Sequence, residues 1–375
     1  MLPLWMWLAW YFSPKSPLNV VIVDKTVLTE QAREHASLNW ILRYNRYSKE
    51  DGNLYRVQND YYGFFPKKIP DYELQGLEKF SNTQLKSLAN RSDLLYITDT
   101  YGIYEKDLRP EQKRPVSSKI VYGGLSQQDM YILKHFKKQK KLIITEFNTF
   151  STPTAPPIAK EFEETFKIRW TGWAGRHFES LDTVSNKELP RWLIDNYLIQ
   201  NQNKWPFKKS GIVFVNKSSK MIILEYVKHL HAEMPYILTE KYQRKKYNIP
   251  KSIKYSFWFD IVQSSRSNQI VSYYDIKVNE RGKRILEQNG ITPQFPAIIE
   301  HNRADYKFYY FCGDFADNNI SQKGAQFKGI HYFRRLFYNN DNASDRVGFF
   351  WQFYSPLVTS ILTDYASELN NKKSE

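Results

Sequence analysis

The chain predicts an α/β fold built on a mostly parallel sheet with helices on both faces, and three short apolar runs carry that prediction. They are Asn19-Val-Val-Ile-Val-Asp-Lys-Thr26, Asp93-Leu-Leu-Tyr-Ile-Thr-Asp-Thr-Tyr-Gly102 and Lys141-Leu-Ile-Ile-Thr-Glu-Phe-Asn-Thr149. Runs rich in Val and Ile without polar alternation read as strands buried on both faces, the pattern of a parallel sheet under helices. Helical stretches separate them, as βαβ units require. In such sheets ligands bind beyond the carboxyl ends of the strands. Those ends carry Asp24, Lys25, Asp99, Tyr101, Glu146 and Asn148.

Along the chain, a helix is expected over about 29–47 and a short strand at Tyr61-Tyr-Gly-Phe-Phe-Pro66, closed by Pro66. A polar helix follows over about 72–91, ahead of the second buried strand. Ser126-Gln-Gln-Asp129 has capping-box spacing before Met130, Leu133 and Phe136, so a helix begins there. Prolines in Ser151-Thr-Pro-Thr-Ala-Pro-Pro157 are placed to start a helix over 158–166. Arg169-Trp-Thr-Gly-Trp-Ala-Gly-Arg-His-Phe178 is the densest Gly/Trp segment. Gly211–Asn216 and Met221–Leu224, joined by Lys-Ser-Ser-Lys, form a hairpin.

From about residue 226 the pattern changes. Four aromatic-rich strands are expected near 255–262, 269–274, 295–299 and 306–311, with a helix over 279–288 ended by Asn289-Gly290 and two closing helices over about 325–338 and 345–368. The expected division is an apolar segment and linker over 1–18, an α/β domain over 19–225 and a C-terminal α+β domain over 226–375.

The 375 residues include 27 Tyr, 24 Phe and 10 Trp, enough for an aromatic core or for exposed rings that meet sugars or a membrane. A net charge of +15 favours anionic partners. Its densest clusters, at 135–141 and 241–247, match no nucleic-acid module, so no nucleic acid is expected. The single cysteine, Cys312, excludes an intrachain disulfide and multi-cysteine metal sites. No metal-ligand spacing links the seven histidines, and neither metal nor cofactor is expected.

Residues 2–12, Leu-Pro-Leu-Trp-Met-Trp-Leu-Ala-Trp-Tyr-Phe, are uniformly apolar but short of the roughly 20 residues that a bilayer crossing needs. Their rings suit a membrane interface, and Ser13–Pro17 reads as a linker. The end of a membrane anchor is expected here, which places the protein at the extracytoplasmic face of a bacterial envelope.

The strand-and-turn order over 19–225, with the Tyr61–Pro66 strand, the Asp93–Asp99 strand and the Tyr122-Gly-Gly-Leu125 turn before a helix, resembles the flavodoxin-like fold of class I glutamine amidotransferases, and within it the trehalose-utilisation-type branch. Asp24-Lys-Thr, Thr98-Asp-Thr-Tyr-Gly and Glu146-Phe-Asn-Thr are also similar to segments of uncharacterised bacterial membrane-anchored proteins. The resemblance implies an amidotransferase-like domain. The nucleophile that such chemistry needs is missing: Cys312 lies outside the matching region, and no Gly-x-Cys-x-Gly or Gly-x-Ser-x-Gly elbow exists. Glutaminase activity is therefore excluded.

Paired carboxylates at strand ends suit general acid/base cleavage of a glycosidic bond, with one raised in pKa by burial. Asp24, Asp99 and Glu146 are the catalytic candidates. Lys25, His35 (beside Glu34 on the first helix), Tyr101, Asn148, Trp173 and Arg176 are the ligand-binding candidates, and the Gly313-Asp-Phe-Ala-Asp317 turn offers further acids. The expected function is binding or hydrolysis of a carbohydrate or another anionic envelope ligand. The alternative is a non-enzymatic scaffold of an envelope complex, in which the same carboxylates are consumed by loop hydrogen bonds.

Overall fold

The computed structural model describes residues 1–68, 70–108, 118–339, 342, 344 and 346–374. The three apolar runs form the strands β1 (Val20–Asp24), β4 (Leu94–Asp99) and β5 (Leu142–Glu146), with β2 (Tyr62–Pro66) and β3 (Tyr72–Leu74) between the first two. A glycine-rich segment becomes the long strand β6 (Ile168–Phe178), and the expected hairpin is β7 (Gly211–Asn216) with β8 (Met221–Glu225). The C-terminal region supplies β9 (Tyr236–Thr239), β10 (Ser252–Lys254), β11 (Phe259–Ser264), β12 (Gln269–Asp275), β13 (Gln294–Asn302) and β14 (Lys307–Phe311).

Ten strands make the central sheet, in the order β10-β9-β12-β13-β14-β5-β4-β1-β2-β3. β14, β5, β4, β1 and β2 are mutually parallel, and the flanking pairs on both sides are antiparallel. Taken in chain order, the parallel strands run 2-1-3-4-5 across the sheet, which is the flavodoxin-like order. The fifth, β14, comes from the C-terminal α+β region, 226–375. The sheet therefore runs unbroken across residue 226, because β14 pairs with β5 over Lys307–Leu142 to Phe311–Glu146. A second, antiparallel sheet has the order β8-β7-β6-β11.

The helices are α1 (Leu2–Phe12), α2 (Arg33–Tyr44), α3 (Asn82–Arg91), α4 (Gln127–Lys138), α5 (Pro156–Phe166), α6 (Arg191–Gln200), α7 (Lys241–Tyr247), α8 (Glu280–Glu287) and α9 (Ser355–Ser374). Right-handed crossovers leave β1 in opposite directions and so place α2 on one face and α3 and α4 on the other. The packing agrees: α2 meets α9, whereas α3 meets α4 and α4 meets α5. Ser126 caps α4 through the expected box with Asp129.

Some boundaries differ from expectation. The predicted helix over 72–91 begins only at Asn82, where Ser81 and Gln84 form a capping box, because Tyr72–Leu74 pairs with β2 instead. The predicted helix over 325–338 is broken by Gly329 at φ +83° into two 3-10 segments, Gln322–Gln326 and Ile330–Leu336. Asp345, the expected start of the last helix, lies outside the described residues. From Arg346 the chain is helical, passing through a π-helical turn at Phe350–Tyr354 into α9. Cys312 is fully buried, as its place after an apolar strand implies.

Candidate functional site

β1 and β4 are neighbours, and Asp24 is paired in register with Asp99. In the 2-1-3-4-5 order this is the point where the chain reverses direction across the sheet. At such a point the loops of an open sheet part, which leaves room for a crevice at the strand ends. The turn beyond β4 is tight: a Cβ on Gly102 (φ +88°) would lie 2.1 Å from the carbonyl oxygen of Tyr122, so only glycine fits.

Asp24 itself lies beneath the crevice and is fully enclosed. Its Oδ1 accepts the Thr26 N–H at 3.0 Å, and its Oδ2 is 2.6 Å from His35 Nδ1. His35 Nε2 lies 2.8 Å from the Val57 carbonyl, which only accepts, so that nitrogen carries a proton. One further proton then sits in the contact between Nδ1 and Oδ2.

Asp99 is nearly enclosed, at 7% exposure. Its Oδ1 accepts the Tyr101 N–H at 2.6 Å. Burial, with the negative fields of Asp24 and Asp317 added, pushes its carboxyl up to about 8 against the opposing hydrogen bonds from Tyr101 and Thr26. Glu34, at the start of α2, is also raised well above the usual range, first by burial and then by Asp24, Asp317 and Asp99. Its Oε2 is buried without a hydrogen-bond partner.

The loop after β14 brings Asp314 and Asp317 to the same rim. Asp317 forms an ion pair with Arg346 Nη1 at 2.9 Å and faces Arg33 Nε at 3.6 Å. Arg346 Nη2 donates to the Asp314 carbonyl at 2.6 Å, and its guanidinium lies 3.7 Å from the centre of the Phe257 ring. Burial and then the neighbouring Asp317 raise the Asp314 carboxyl, against the pull of Arg346. Arg176 shares the Phe257 ring at 4.7 Å, lies 5.8 Å from Trp258 and reaches Glu188 at 3.4 Å. Arg346, Asp314 and Asp317 all act electrostatically on Arg176, which places it on this rim. Among the described residues no three His, Cys, Asp or Glu side chains are placed to hold a metal ion.

Several expected site residues lie elsewhere. Lys25 is fully enclosed, with its ammonium on Asp129 at 2.6 Å, on Glu78 and on the Gly124 carbonyl at 3.0 Å. It ties β1 to the start of α4 and is not available to a ligand. Glu146 is equally enclosed: one oxygen accepts the N–H groups of Phe315 and Ala316 at 2.8 and 2.9 Å, and the other meets Tyr96. It holds the 313–317 loop in place. His35 is consumed by Asp24 and Val57. Asn148 is buried at φ +67°, with its N–H on Asp260 at 3.3 Å. Trp173 packs in the core, and its carbonyl accepts the Trp170 indole N–H at 2.9 Å. Both tryptophans border a separate groove of about 950 Å³ that also touches Lys160, Arg169 and Lys217. Tyr101 is 38% exposed, and its backbone N–H donates to Asp99.

Of the expected set the rim unites Asp99, Tyr101 and Arg176, with Asp24 below, and adds Glu34, Asp314 and Asp317. Arg33 and Arg346 are the additions that sequence reasoning missed. Neither belongs to a spacing pattern, and only the fold brings them to Asp317.

No family model and no curated protein matches this chain. Solved structures do: a protein described as ThuA-like from Bacteroides uniformis aligns at a TM-score of 0.36 and 10% identity, over 89% of this chain and 97% of its own. A second ThuA-like protein, from Parabacteroides merdae, aligns at 0.36 and 8%, over 79% of each chain. The carbohydrate deacetylase Agd3 aligns at 0.33 and 7%, over 84% of this chain and 32% of its own.

Proposed function

We propose that the crevice at the β1/β4 switch point binds a carbohydrate and hydrolyses a glycosidic bond in it. The observation that supports this most is Asp99: a carboxyl at the end of β4 that burial raises to about 8, with Asp317 among the charges acting on it. A protonated carboxyl and a second carboxyl near it are what glycosidic hydrolysis requires. Asp99 gives its proton to the leaving oxygen as the C–O bond breaks. Water bonds to the anomeric carbon and passes a proton to Asp317. The Phe257 and Trp258 rings offer flat apolar faces to a sugar, and Arg176 and Arg33 suit a substrate carrying an anionic group. Burial first of all keeps Asp99 protonated, and Asp24 is locked to His35.

The test is a panel of neutral and acidic oligosaccharides, read by release of reducing ends and by the shift in melting temperature on binding. Asp99→Asn and Asp317→Asn should each lower turnover at least about a hundredfold, the usual scale for a general acid or base, with melting preserved. Unchanged turnover in both variants refutes these roles.

A second reading, a non-enzymatic scaffold, draws support from how completely Asp24, Lys25 and Glu146 are satisfied internally. It predicts no binding to any member of the panel and no effect of Asp99→Asn on partner capture.

A further inference from the structure

The surface formed by α1 and the Ile330–Leu336 segment has no part in the crevice, and its chemistry is one-sided. α1 is docked by its inner side only. Trp10 is buried, its indole N–H donates to the Arg43 carbonyl at 3.1 Å, and its ring lies 4.9 Å from the Arg46 guanidinium. Arg46 Nη1 also donates to the Trp10 and Tyr11 carbonyls at 2.7 and 2.6 Å, satisfying the end of the helix. The outer side is left bare: Trp5 is 63% exposed, Phe12 77% and Leu2 56%.

Beside it, the Lys328 N–H donates to the Met6 carbonyl at 3.0 Å, which fixes the following turn against the helix. That turn exposes Tyr332 (81%), Leu336 (78%) and Phe337 (44%). It too is anchored from within: Tyr44 bonds His331 at 2.9 Å, and Phe337 stacks on Trp351 at 5.5 Å. The apolar side chains therefore stand outward on a rigid base.

Charge identifies what covers them. Lys15, Lys323, Lys328, Arg334 and Arg335 are exposed around this surface. Neither 1–23 nor 318–339 contains a single Asp or Glu. Tryptophan and tyrosine with leucine on one side and cations at the margin are the composition that settles into a lipid headgroup region. No helix among the described residues is long and apolar enough to cross a membrane.

We propose that this surface lies on an anionic lipid bilayer, with Trp5, Phe12, Tyr332 and Leu336 entering the headgroup layer and the five cations meeting lipid phosphates. It supplies, independently of the crevice, the membrane attachment expected from the N-terminal sequence.

The experiment is co-sedimentation of the full chain with phosphatidylcholine vesicles, with and without phosphatidylglycerol. Binding should need the anionic lipid and weaken with salt. Arg334→Gln with Arg335→Gln should lower affinity roughly tenfold to thirtyfold, since each cation near such a surface contributes about a factor of five. Trp5→Glu and, separately, Leu336→Glu should abolish binding while the far-UV and near-UV circular dichroism stay unchanged. Leu336→Glu keeps the test decisive if α1 variants unfold. Absent binding, equal binding to neutral vesicles, or binding indifferent to Leu336→Glu overturns the proposal. So does a concentration-dependent dimer that Trp5→Glu dissolves and that ignores vesicles.

Discussion

Asp99 and Glu146 end neighbouring parallel strands and follow nearly the same apolar pattern, yet different partners close over them. Glu146 is enclosed and spends one oxygen on two backbone amides and the other on Tyr96. Asp99 is nearly enclosed and spends one oxygen on Tyr101. The amides that close over Glu146 belong to Phe315 and Ala316, far along the chain. A carboxyl at a strand end thus becomes a latch, or keeps an oxygen free of backbone amides, according to which distant loop arrives above it.

The largest effect that sharpens this contrast is the loss of the latch. Glu146→Ala leaves two buried N–H groups and a tyrosine hydroxyl without their acceptor, each costing on the order of 1–3 kcal/mol. Urea denaturation should show a loss of about 3–5 kcal/mol, whereas Asp99→Ala in the same assay should lose less than about 1 kcal/mol. Equal losses would erase the distinction between the two ends.

Lys25 tests the same contrast one residue beyond β1. Removing its ammonium as Lys25→Met leaves Asp129 enclosed without its cation, for which about 2–4 kcal/mol is expected. Lys25→Met with Asp129→Leu should recover most of that loss, because the penalty comes from the unpaired carboxylate. Failure of the double variant to recover would mean that the lysine stem, not its charge, does the packing.

The strands were legible because burial on both faces writes a continuous apolar run, and α4 because Ser126 and Asp129 write a capping box. Asp99 was legible for the same reason as the strand it ends. The enclosure of Lys25 and Glu146 was not, since a sequence shows where a strand stops but not which groups close over the residue there. Arg33 and Arg346 escaped notice because they reach the rim from a helix start and from a segment more than 300 residues away, and nothing in their neighbours differs from ordinary surface positions. The C-terminal strands were recognised, but their union with the first sheet through β14 depends on pairing that local patterns do not encode.

The smallest effect is a slope with pH. Asp99 and Glu146 are each raised to about 8 in the folded chain, burial being the first cause in both. Unfolded, they titrate near the ordinary value of about 4. Between those limits the native chain holds protons that the unfolded chain has lost, so stability falls as pH rises, by on the order of 1 kcal/mol per pH unit for each group. The amides Asp99→Asn and Glu146→Gln have no such titration. Relative to the parent chain, both variants should therefore gain stability steadily from pH 5 to pH 8. The two should differ in one respect. Carbohydrate bound at the crevice should change the gain for Asp99→Asn, because its carboxyl faces the ligand, and leave that of Glu146→Gln unaltered beneath the loop. Melting curves across pH, with and without a sugar that binds, separate the two carboxyls, and a ligand effect on Glu146→Gln alone would reverse their assigned positions.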